Sequence, residues 1–403
     1  MRSRLFVVAF IVVVLAGLTA EAFHPASAAP VFARKYGFNC TMCHSNFPRL
    51  NDFGQRYRAN GYQLPGREED DKTVLESPTP LAMRTTVGFT SDTFDNTADA
   101  EDITKFRVEG FDVLSGGLLG RNIGYFLIYT PQIDDSDWVA GQDGSLEMAN
   151  VMFSNLWGTR LNARVGRFEP AYVPFSAKRN LSFSPYEIYD FSFPGGPPLA
   201  DTQVGIELTG YWPEKGCSYA AGWVDGSNTN DSDDTPSDVY FRLAHVFGEG
   251  EGQTAGHRLG FTGYFGRARP EATGADLSRQ GFSRLGVDAS LNWPGWNVGV
   301  QWLHGCDDGA LWGLDDSVDF SGGFVEVNYL PRTDLTAFGR YNWVSLPAAI
   351  NEDVSSVTVG CRYYLQDNIA WHTEYSHRSQ NSATAGAGDA TEHFFTTRVD
   401  FAF

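Results

Sequence analysis

The sequence predicts an all-β fold: an antiparallel β-barrel of about sixteen strands, preceded by a small α-helical segment. The first observation is that apolar and polar residues alternate with period two from about residue 82 onward. The second is that short and long connections alternate between these segments. The third is the last strand, whose two faces are Phe395, Thr397, Val399, Phe401 and Phe403 against Phe394, Thr396, Arg398 and Asp400.

Two other segments divide their residues in the same way. In one of them, the apolar residues Val357 and Val359 lie on one face of the strand and Thr358 and Gly360 on the other. In the segment that begins near residue 368, Ile369 and the aromatic side chains oppose a face that includes His372 and Glu374. One apolar face with charges on the other is typical of a lipid-facing barrel with a polar interior. A soluble β-sandwich also alternates, but its outer face is the polar one.

The candidate strands are even in number, as in bacterial outer-membrane barrels. They begin near residues 82, 103, 121, 147, 160, 203, 217, 238, 257, 282, 295, 320, 334, 354, 368 and 392. Long connections are expected at 91–102, 131–145, 169–202, 225–238, 267–279, 305–319, 345–352 and 379–391. Short turns belong on the periplasmic side of such barrels. The order in which short and long connections alternate therefore places both ends of the barrel in the periplasm.

The composition excludes several classes of protein. With 30 Lys and Arg against 49 Asp and Glu, the net charge is −19, which argues against nucleic-acid binding. Five Cys in 403 residues cannot form a disulfide scaffold, and an aromatic content of 14% excludes intrinsic disorder. No run of apolar residues after residue 30 is long enough for a transmembrane helix.

The N-terminus has the layout of a secretory signal peptide. Arg2 and Arg4 precede an apolar run from Leu5 to Leu18, which is too short to span a bilayer. The small residues Ala26-Ser27-Ala28 then form a cleavage site, with Ala20-Glu21-Ala22 as a rival site. The alternative is an N-terminal membrane anchor. We therefore predict a signal peptide at 1–28, a second segment at 29–80 and a barrel at 81–403.

The most specific motif is Cys40-Thr41-Met42-Cys43-His44, a CxxCH sequence that attaches a c-type haem. Two thiols at this spacing add to the two vinyl groups of the porphyrin, and the adjacent imidazole reaches the iron. A zinc site is one alternative, but the next His or Cys after His44 is Cys217. A thioredoxin-like CxxC is another, but no βαβ pattern surrounds this one. The motif therefore predicts one haem c, held by Cys40 and Cys43 with His44 as the proximal iron ligand.

A short helix is expected to follow the motif. Pro48 suits a first helical turn, Leu50, Phe53 and Tyr57 then share one face, and Asn60-Gly61 ends the helix. Those apolar side chains pack either on the haem or on neighbouring residues. The segment from Val31 to Arg67 contains six basic residues and one acid, Asp52. Its basic residues either form a solvated face or dock on acidic walls.

The long connections contain most of the negative charge. The loops 91–102, 131–145, 225–238 and 305–319 contain 5, 4, 5 and 5 acidic residues and no Lys or Arg. Asp231-Asp233-Asp234 and Asp307-Asp308 are candidate oxygen ligands for hard cations. The alternative is that the acids keep the surface soluble or hold structural calcium. Taken together, the negative charges of the four loops raise the local concentration of divalent cations.

The whole architecture resembles the fused monohaem cytochrome–porin proteins of iron-oxidising bacteria. The specific part of the likeness is the CxxCH motif after a signal peptide, followed by 47–54 (FPRLNDFG) and Asn60-Gly61-Tyr62. The stretch 165–170 (VGRFEP) is also similar to a strand end of phosphate-selective-type porins. Cys40, Cys43 and His44 match the haem positions of the family.

The resemblance implies an oxidoreductase of the outer membrane. It would oxidise extracellular Fe(II) and pass the electron to a periplasmic cytochrome or another electron carrier. A sixteen-stranded barrel has a lumen wide enough for the haem segment to plug, and a haem in the lumen or at its periplasmic mouth shortens the electron's path. The alternative, from a different class, is a passive porin for a small solute, with a haem-containing gate or sensor.

The haem segment lacks an obvious second axial ligand. Between Pro30 and Leu81 the only His is His44 and the only Met is Met42, which lies inside the attachment loop. The iron is therefore five-coordinate or water-ligated, or the barrel supplies the ligand. Strand parity directs His372 and Met152 inward, so both are distal candidates. A Met ligand would give a higher reduction potential than a His.

Overall fold

A computed structural model describes residues 31–46, 48–64, 66–68, 71–76, 80–96, 101–131, 145–177, 180–226, 236–248, 256–270, 278–366, 368–381 and 389–402. The predicted signal peptide, residues 1–28, lies outside this part of the chain. The helices are α1 Val31–Tyr36, α2 Asp52–Ala59 and α3 Glu187–Asp190. Two short strands, β1 His44–Asn46 and β2 Arg49–Leu50, pair with each other.

Sixteen further strands form one closed antiparallel barrel, so the predicted fold class is confirmed. They are β3 Leu81–Asp95, β4 Ile103–Gly120, β5 Ile123–Thr130, β6 Ser145–Phe153, β7 Leu161–Phe168, β8 Gln203–Trp212, β9 Cys217–Val224, β10 Asp238–Phe247, β11 His257–Ala268, β12 Gln280–Trp293, β13 Trp296–Asp307, β14 Val318–Arg332, β15 Leu335–Ser345, β16 Val354–Gln366, β17 Ile369–Gln380 and β18 Ala390–Ala402. Each strand pairs with its neighbours in sequence, and β18 closes the ring on β3.

The alternation of side chains between two faces is as predicted. Outward residues such as Trp223 and Leu243 are 51% and 54% exposed. Inward residues such as Thr358 and Asn342 are fully buried in the lumen. Short turns join the strands at the edge where β3 begins and β18 ends, and the long loops lie at the other edge. Within the described residues, no helix has the length and apolar character to cross a membrane.

The longest connection, between β7 and β8, folds into the lumen instead of lying outside the barrel. Its described residues, 169–177 and 180–202, include α3 and a core of buried aromatic side chains. Tyr172 packs on Tyr240 and Tyr264, and Phe175 and Tyr186 pack on Phe324, with ring centroids 4.2 to 5.2 Å apart. Burial of these rings draws the loop inward, because the apolar surface leaves water. The inward loop narrows the lumen from the long-loop side.

The predicted helix after the CxxCH motif exists, but its start was wrong. The residues at 49–50 pair with 44–46 as a hairpin, so Leu50 lies in a strand. Asn51 then caps α2, since its side-chain oxygen accepts a hydrogen bond of 2.8 Å from the Gly54 N–H. The helix begins at Asp52, and Asn60 ends it as predicted.

Candidate functional site in the barrel lumen

The N-terminal segment lies inside the barrel. Phe32 of α1 stacks on Tyr62, with ring centroids 4.9 Å apart, and both rings contact Phe126 of β5. A Cβ atom on Gly124 of β5 would lie 2.0 Å from the carbonyl oxygen of Gly61. Glycine is therefore required for this close approach of two backbones. The segment is seated against the wall that β5 forms.

Ion pairs hold the segment to two other parts of the lumen. The Arg49 guanidinium donates to Glu326 of β14 at 2.6 Å and also to Asn297 of β13. Arg58 of α2 lies 3.7 Å from Glu169 of the inward loop. Two of the six basic residues therefore dock on acidic groups of the barrel and its loop. A buried arginine and carboxylate fix register and orientation more than they add stability.

The CxxCH motif is fastened to α2. The backbone N–H of Asn51 donates to the Cys43 carbonyl at 2.9 Å, and the Asn51 side-chain amide donates to the Met42 carbonyl at 3.0 Å. A Cβ atom on Gly54 would lie 2.2 Å from that Cys43 carbonyl oxygen. Only glycine therefore allows the helix to pack this closely on the motif. The side chain of Cys40 lies outside the described part of the structure.

The imidazole of His44 is held in one tautomer. Its Nδ1 lies 2.9 Å from the Pro48 carbonyl, and a carbonyl only accepts, so Nδ1 donates. The neutral ring then carries its lone pair on Nε2, as a metal-ligating histidine does. Burial away from bulk water lowers the pKa of His44 to about 4. The ring is therefore neutral near pH 7, which is the protonation state that binds iron.

A cavity of about 820 Å³ lies beside this histidine, within the size range of cofactor sites. Cys43 and His44 line it together with apolar side chains, among them Phe38, Leu114, Phe126, Val173 and Phe175. Arg362 and Arg398 also line it and share a single carboxylate, that of Asp400. Apolar walls suit a porphyrin plane and arginines suit its carboxylates, so these residues fit a haem.

Both distal candidates face inward, but in the structure each of them has other surroundings than this cavity. His372 is fully buried as expected, but its Nε2 lies 3.1 Å from Glu374 and its ring stacks on Phe338 at 5.7 Å. Met152 is also buried and faces inward, and it lines a second cavity of about 110 Å³ beside α2. Among the described residues that line the large cavity, neither of the two is found. Their roles as ligands stay predictions.

A methionine that the sequence pattern does not single out lies in the lining of the large cavity. Met148 is 3% exposed, faces inward from β6 and borders the large cavity together with His44. The alternation along β6 was available in the sequence, because Met148 and Met152 share one face. The two methionines differ in their position relative to the N-terminal segment, since Met148 borders the large cavity and Met152 the smaller one.

Several of the acidic loop residues have structural partners. Asp238 is buried and accepts hydrogen bonds from the Tyr264 hydroxyl and the Arg267 backbone N–H at 2.5 and 3.1 Å. Asp307 is buried against Arg284, and Asp308 caps a short helical turn. Asp231, Asp233 and Asp234 lie outside the described residues. In the described part of the chain, no group of three or more His, Cys, Asp or Glu is arranged to hold a metal ion.

No family model and no curated protein matches this chain. Solved structures of outer-membrane porins and channels do match. An anion-selective porin from Comamonas acidovorans aligns with a TM-score of 0.60 at 12% identity, over 80% of this chain and 99% of its own. The outer membrane channel DcaP of Acinetobacter baumannii aligns at 0.57 and 10% identity, over 80% and 97%. At such low identity the likeness shows the fold, which is that of an outer-membrane porin.

Proposed function

We propose that this chain is an outer-membrane electron conduit of the fused monohaem cytochrome–porin kind. Its barrel would sit in outer-membrane lipid with both termini in the periplasm. One haem c in the lumen would accept electrons from extracellular Fe(II) and deliver them to a periplasmic cytochrome or another carrier. Each Fe(II) that is oxidised to Fe(III) then reduces the carrier by one electron.

The observation that carries the proposal is the position of the CxxCH segment. A motif that attaches haem lies inside a porin-type barrel and borders a cavity of about 820 Å³. The His44 Nδ1–H is committed to the Pro48 carbonyl, which orients the ring for ligation through Nε2. Cys40 and Cys43 would hold the haem through thioether bonds, and His44 would be the proximal ligand.

A haem held there would supply a one-electron redox centre in a cavity that both aromatic and charged side chains line. Phe175 and Tyr186 of the inward loop border the cavity on one side, and Phe38 and Leu50 of the N-terminal segment border it on the other. Arg362 and Arg398 also line the cavity, and both contact the carboxylate of Asp400. Guanidinium groups at the edge of the cavity suit the carboxylates of a haem.

A haem in the lumen would also lie closer to an electron donor at the cell surface than a haem in the periplasm. The apolar band of an outer-membrane barrel is about 25 Å tall. A haem below that band would be far from a donor on the cell surface. The N-terminal segment and the inward loop together occupy the lumen from both of its edges. The redox centre would therefore lie between the periplasm and the outside of the cell.

A second candidate is a passive porin for small anions, with the haem segment as a gate or sensor. The observation that favours it is that pairs of arginines lie together on the lumen wall. Arg242 and Arg258 share Asp288, just as Arg362 and Arg398 share Asp400. Small anions are attracted to such a wall.

Haem staining of the purified protein on a denaturing gel tests the attachment. The wild type should stain, and replacement of Cys40 and Cys43 by Ala should abolish the stain, because the thioether bonds survive denaturation. Cys217→Ala and Cys306→Ala are the matched controls and should stain as the wild type does. Staining of the double variant at the wild-type level would contradict the proposal.

Optical spectra and liposome flux then separate the two functions. A conduit predicts that Fe(II) added to the oxidised protein reduces the haem, with little flux of sugars or anions through the barrel. A passive porin predicts free flux that is independent of the redox state. Flux without reduction by Fe(II) would favour the second candidate.

A further inference from the structure

A haem held by His44 has a second axial position that the N-terminal segment does not fill. Met42 is the only other Met or His between Pro30 and Leu81, and it lies within the attachment loop. The structure shows its side chain 40% exposed in the turn that Cys40–Met42 forms. A side chain on the barrel wall must therefore complete the coordination, if any does.

The chain contains eight His and five Met, so the candidates can be taken in turn. Two of the thirteen, His24 and Met1, belong to the first 28 residues. Five of the histidines lie at outward positions of the strands: His245, His257, His304, His377 and His393. His372 faces inward but is paired with Glu374 and does not border the cavity. The methionines of the barrel remain.

Three methionines belong to the barrel. Met152 borders the smaller cavity on the other side of α2. Met83 borders the large cavity, but it alternates on β3 with Arg84 and Thr86, which bond to the inward carboxylates Asp112 and Asp400. Its side chain therefore belongs to the outer face of the wall. Met148 faces inward, is 3% exposed and borders the cavity that Cys43 and His44 line.

Met148 and the anchor of the His44 hairpin also lie on opposite walls. The hairpin β1–β2 is anchored through Arg49 to Asn297 of β13 and Glu326 of β14. Met148 lies on β6, and β6 and β14 are eight strands apart in a closed ring of sixteen. Axial ligands must approach an iron from opposite faces of the porphyrin. Met148 and the Arg49 anchor of the hairpin are on opposite sides of the barrel, which is consistent with that requirement.

From this placement we infer that Met148 is the second axial ligand of the haem iron. The inference rests on the proposed function, since it needs a haem attached at the CxxCH motif. A thioether ligand raises the reduction potential relative to a bis-histidine haem. That direction suits a centre that must accept electrons from Fe(II). It also means that the barrel wall and the N-terminal segment each contribute one ligand to the same iron.

Spectra of the oxidised holoprotein test the inference. The wild type should be low-spin, with the near-infrared charge-transfer band that a methionine sulfur ligand gives. Met148→Ala should lose that band and become high-spin. Met148→His should restore the low-spin state without the band and lower the reduction potential. Met152→Ala is the matched control, buried on the same face of β6, and should keep the wild-type spectrum.

Haem staining and barrel migration on a gel accompany every spectrum. Absence of staining in the wild type would defeat the proposed function itself. Staining together with a sulfur band that persists in Met148→Ala would overturn only the assignment of Met148. A stained, high-spin wild type would overturn it as well. A stained Met148→Ala that still migrates as a folded barrel but has lost the band is the result we expect.

Discussion

At the scale of single residues, Asn51 joins the two parts of the candidate site. Its side-chain oxygen accepts from the Gly54 N–H at 2.8 Å and caps α2, while its amide donates to the Met42 carbonyl at 3.0 Å. The first contact stabilises the helix and the second holds the CxxCH turn to it. A single side chain therefore couples the position of α2 to the position of the motif.

Two substitutions at this residue separate its roles. Asn51→Ala removes both contacts and should lower the free energy of unfolding of the segment by about 1–2 kcal/mol, with lower haem incorporation. Asn51→Ser keeps an acceptor for the Gly54 N–H but loses the donor to Met42, so its effect should be smaller. Haem content per protein and the melting of the haem signal measure both. Equal losses for Ala and Ser would show that the cap contributes nothing.

The close contact at Gly54 leads to another prediction. A methyl group there would lie 2.2 Å from the Cys43 carbonyl oxygen, so Gly54→Ala must push α2 away from the motif. Overpacking of this kind costs about 1–3 kcal/mol. We expect less haem incorporation and a shifted potential, as measured by a redox titration. Gly281→Ala, where nothing lies within 4 Å of the added methyl, is the control and should behave as the wild type.

Single residues also show how far the sequence alone could go. The spacing of Cys40, Cys43 and His44 predicts the haem chemistry without any structure. Strand parity correctly directed His372 and Met152 inward. Strand parity says nothing about how far along the barrel axis a side chain lies. It therefore could not show which of Met148 and Met152 borders the large cavity. That distinction depends on how Gly61 and Arg49 seat the segment against the wall.

At the scale of elements, the inward loop 169–202 is tied to the wall by one carboxylate. Glu374 of β17 accepts from the backbone N–H groups of Phe183 and Ser184 at 2.7 and 2.8 Å, and from the Ser184 hydroxyl at 2.6 Å. His372 supports it at 3.1 Å. His372 therefore has a visible structural role, as part of the anchor for this loop.

Removal of this anchor should loosen the loop. Glu374→Ala leaves three donors without their acceptor, at a cost of about 3 kcal/mol or more. We expect a lower melting temperature and a larger single-channel conductance in planar bilayers, because the loop narrows the lumen. Glu214→Ala, at an exposed carboxylate in the turn between β8 and β9, is the control. An unchanged conductance for Glu374→Ala would contradict the role of the loop as a constriction.

Elements differ in how well the sequence predicted them. Every strand start was predicted to within two residues, because the period-two pattern and the turn residues both mark it. The start of α2 was predicted too early, because Pro48 suits a first turn but Asn51 is the better cap. The loop 169–202 was recognised by its length. Its inward course depends on aromatic partners on distant strands, which no local pattern encodes.

At the scale of the whole molecule, charge is separated between the loops and the lumen. The sequence segments 91–102, 131–145, 225–238 and 305–319 contain 19 acidic residues and no Lys or Arg, and the 19 include Asp238 and Asp307, which are buried in the barrel. The large cavity is lined by six arginines and five carboxylates. The acidic loops attract cations to the rim, whereas the charges around the large cavity nearly cancel. Fe(II) would be gathered outside the barrel.

This separation predicts how the rate depends on salt. Neutralisation of Asp231, Asp233 and Asp234 to Asn should raise the apparent KM for Fe(II) at low ionic strength. The difference should disappear at high salt, where the field is screened. Asp238 must be kept, because it is buried against Tyr264. Glu76→Gln, at an exposed carboxylate of the N-terminal segment, is the control, and an unchanged KM at low salt would contradict the prediction.

The central claim is that electrons cross the barrel while solutes do not, and proteoliposomes test it most directly. Wild-type protein is reconstituted with an oxidised one-electron acceptor protein inside, and Fe(II) is added outside. We predict that the internal acceptor is reduced, that the Cys40→Ala, Cys43→Ala double variant fails to reduce it, and that neither protein lets a small sugar or anion equilibrate quickly. Rapid equilibration of the solute, with the acceptor left oxidised by the wild type, would contradict the account.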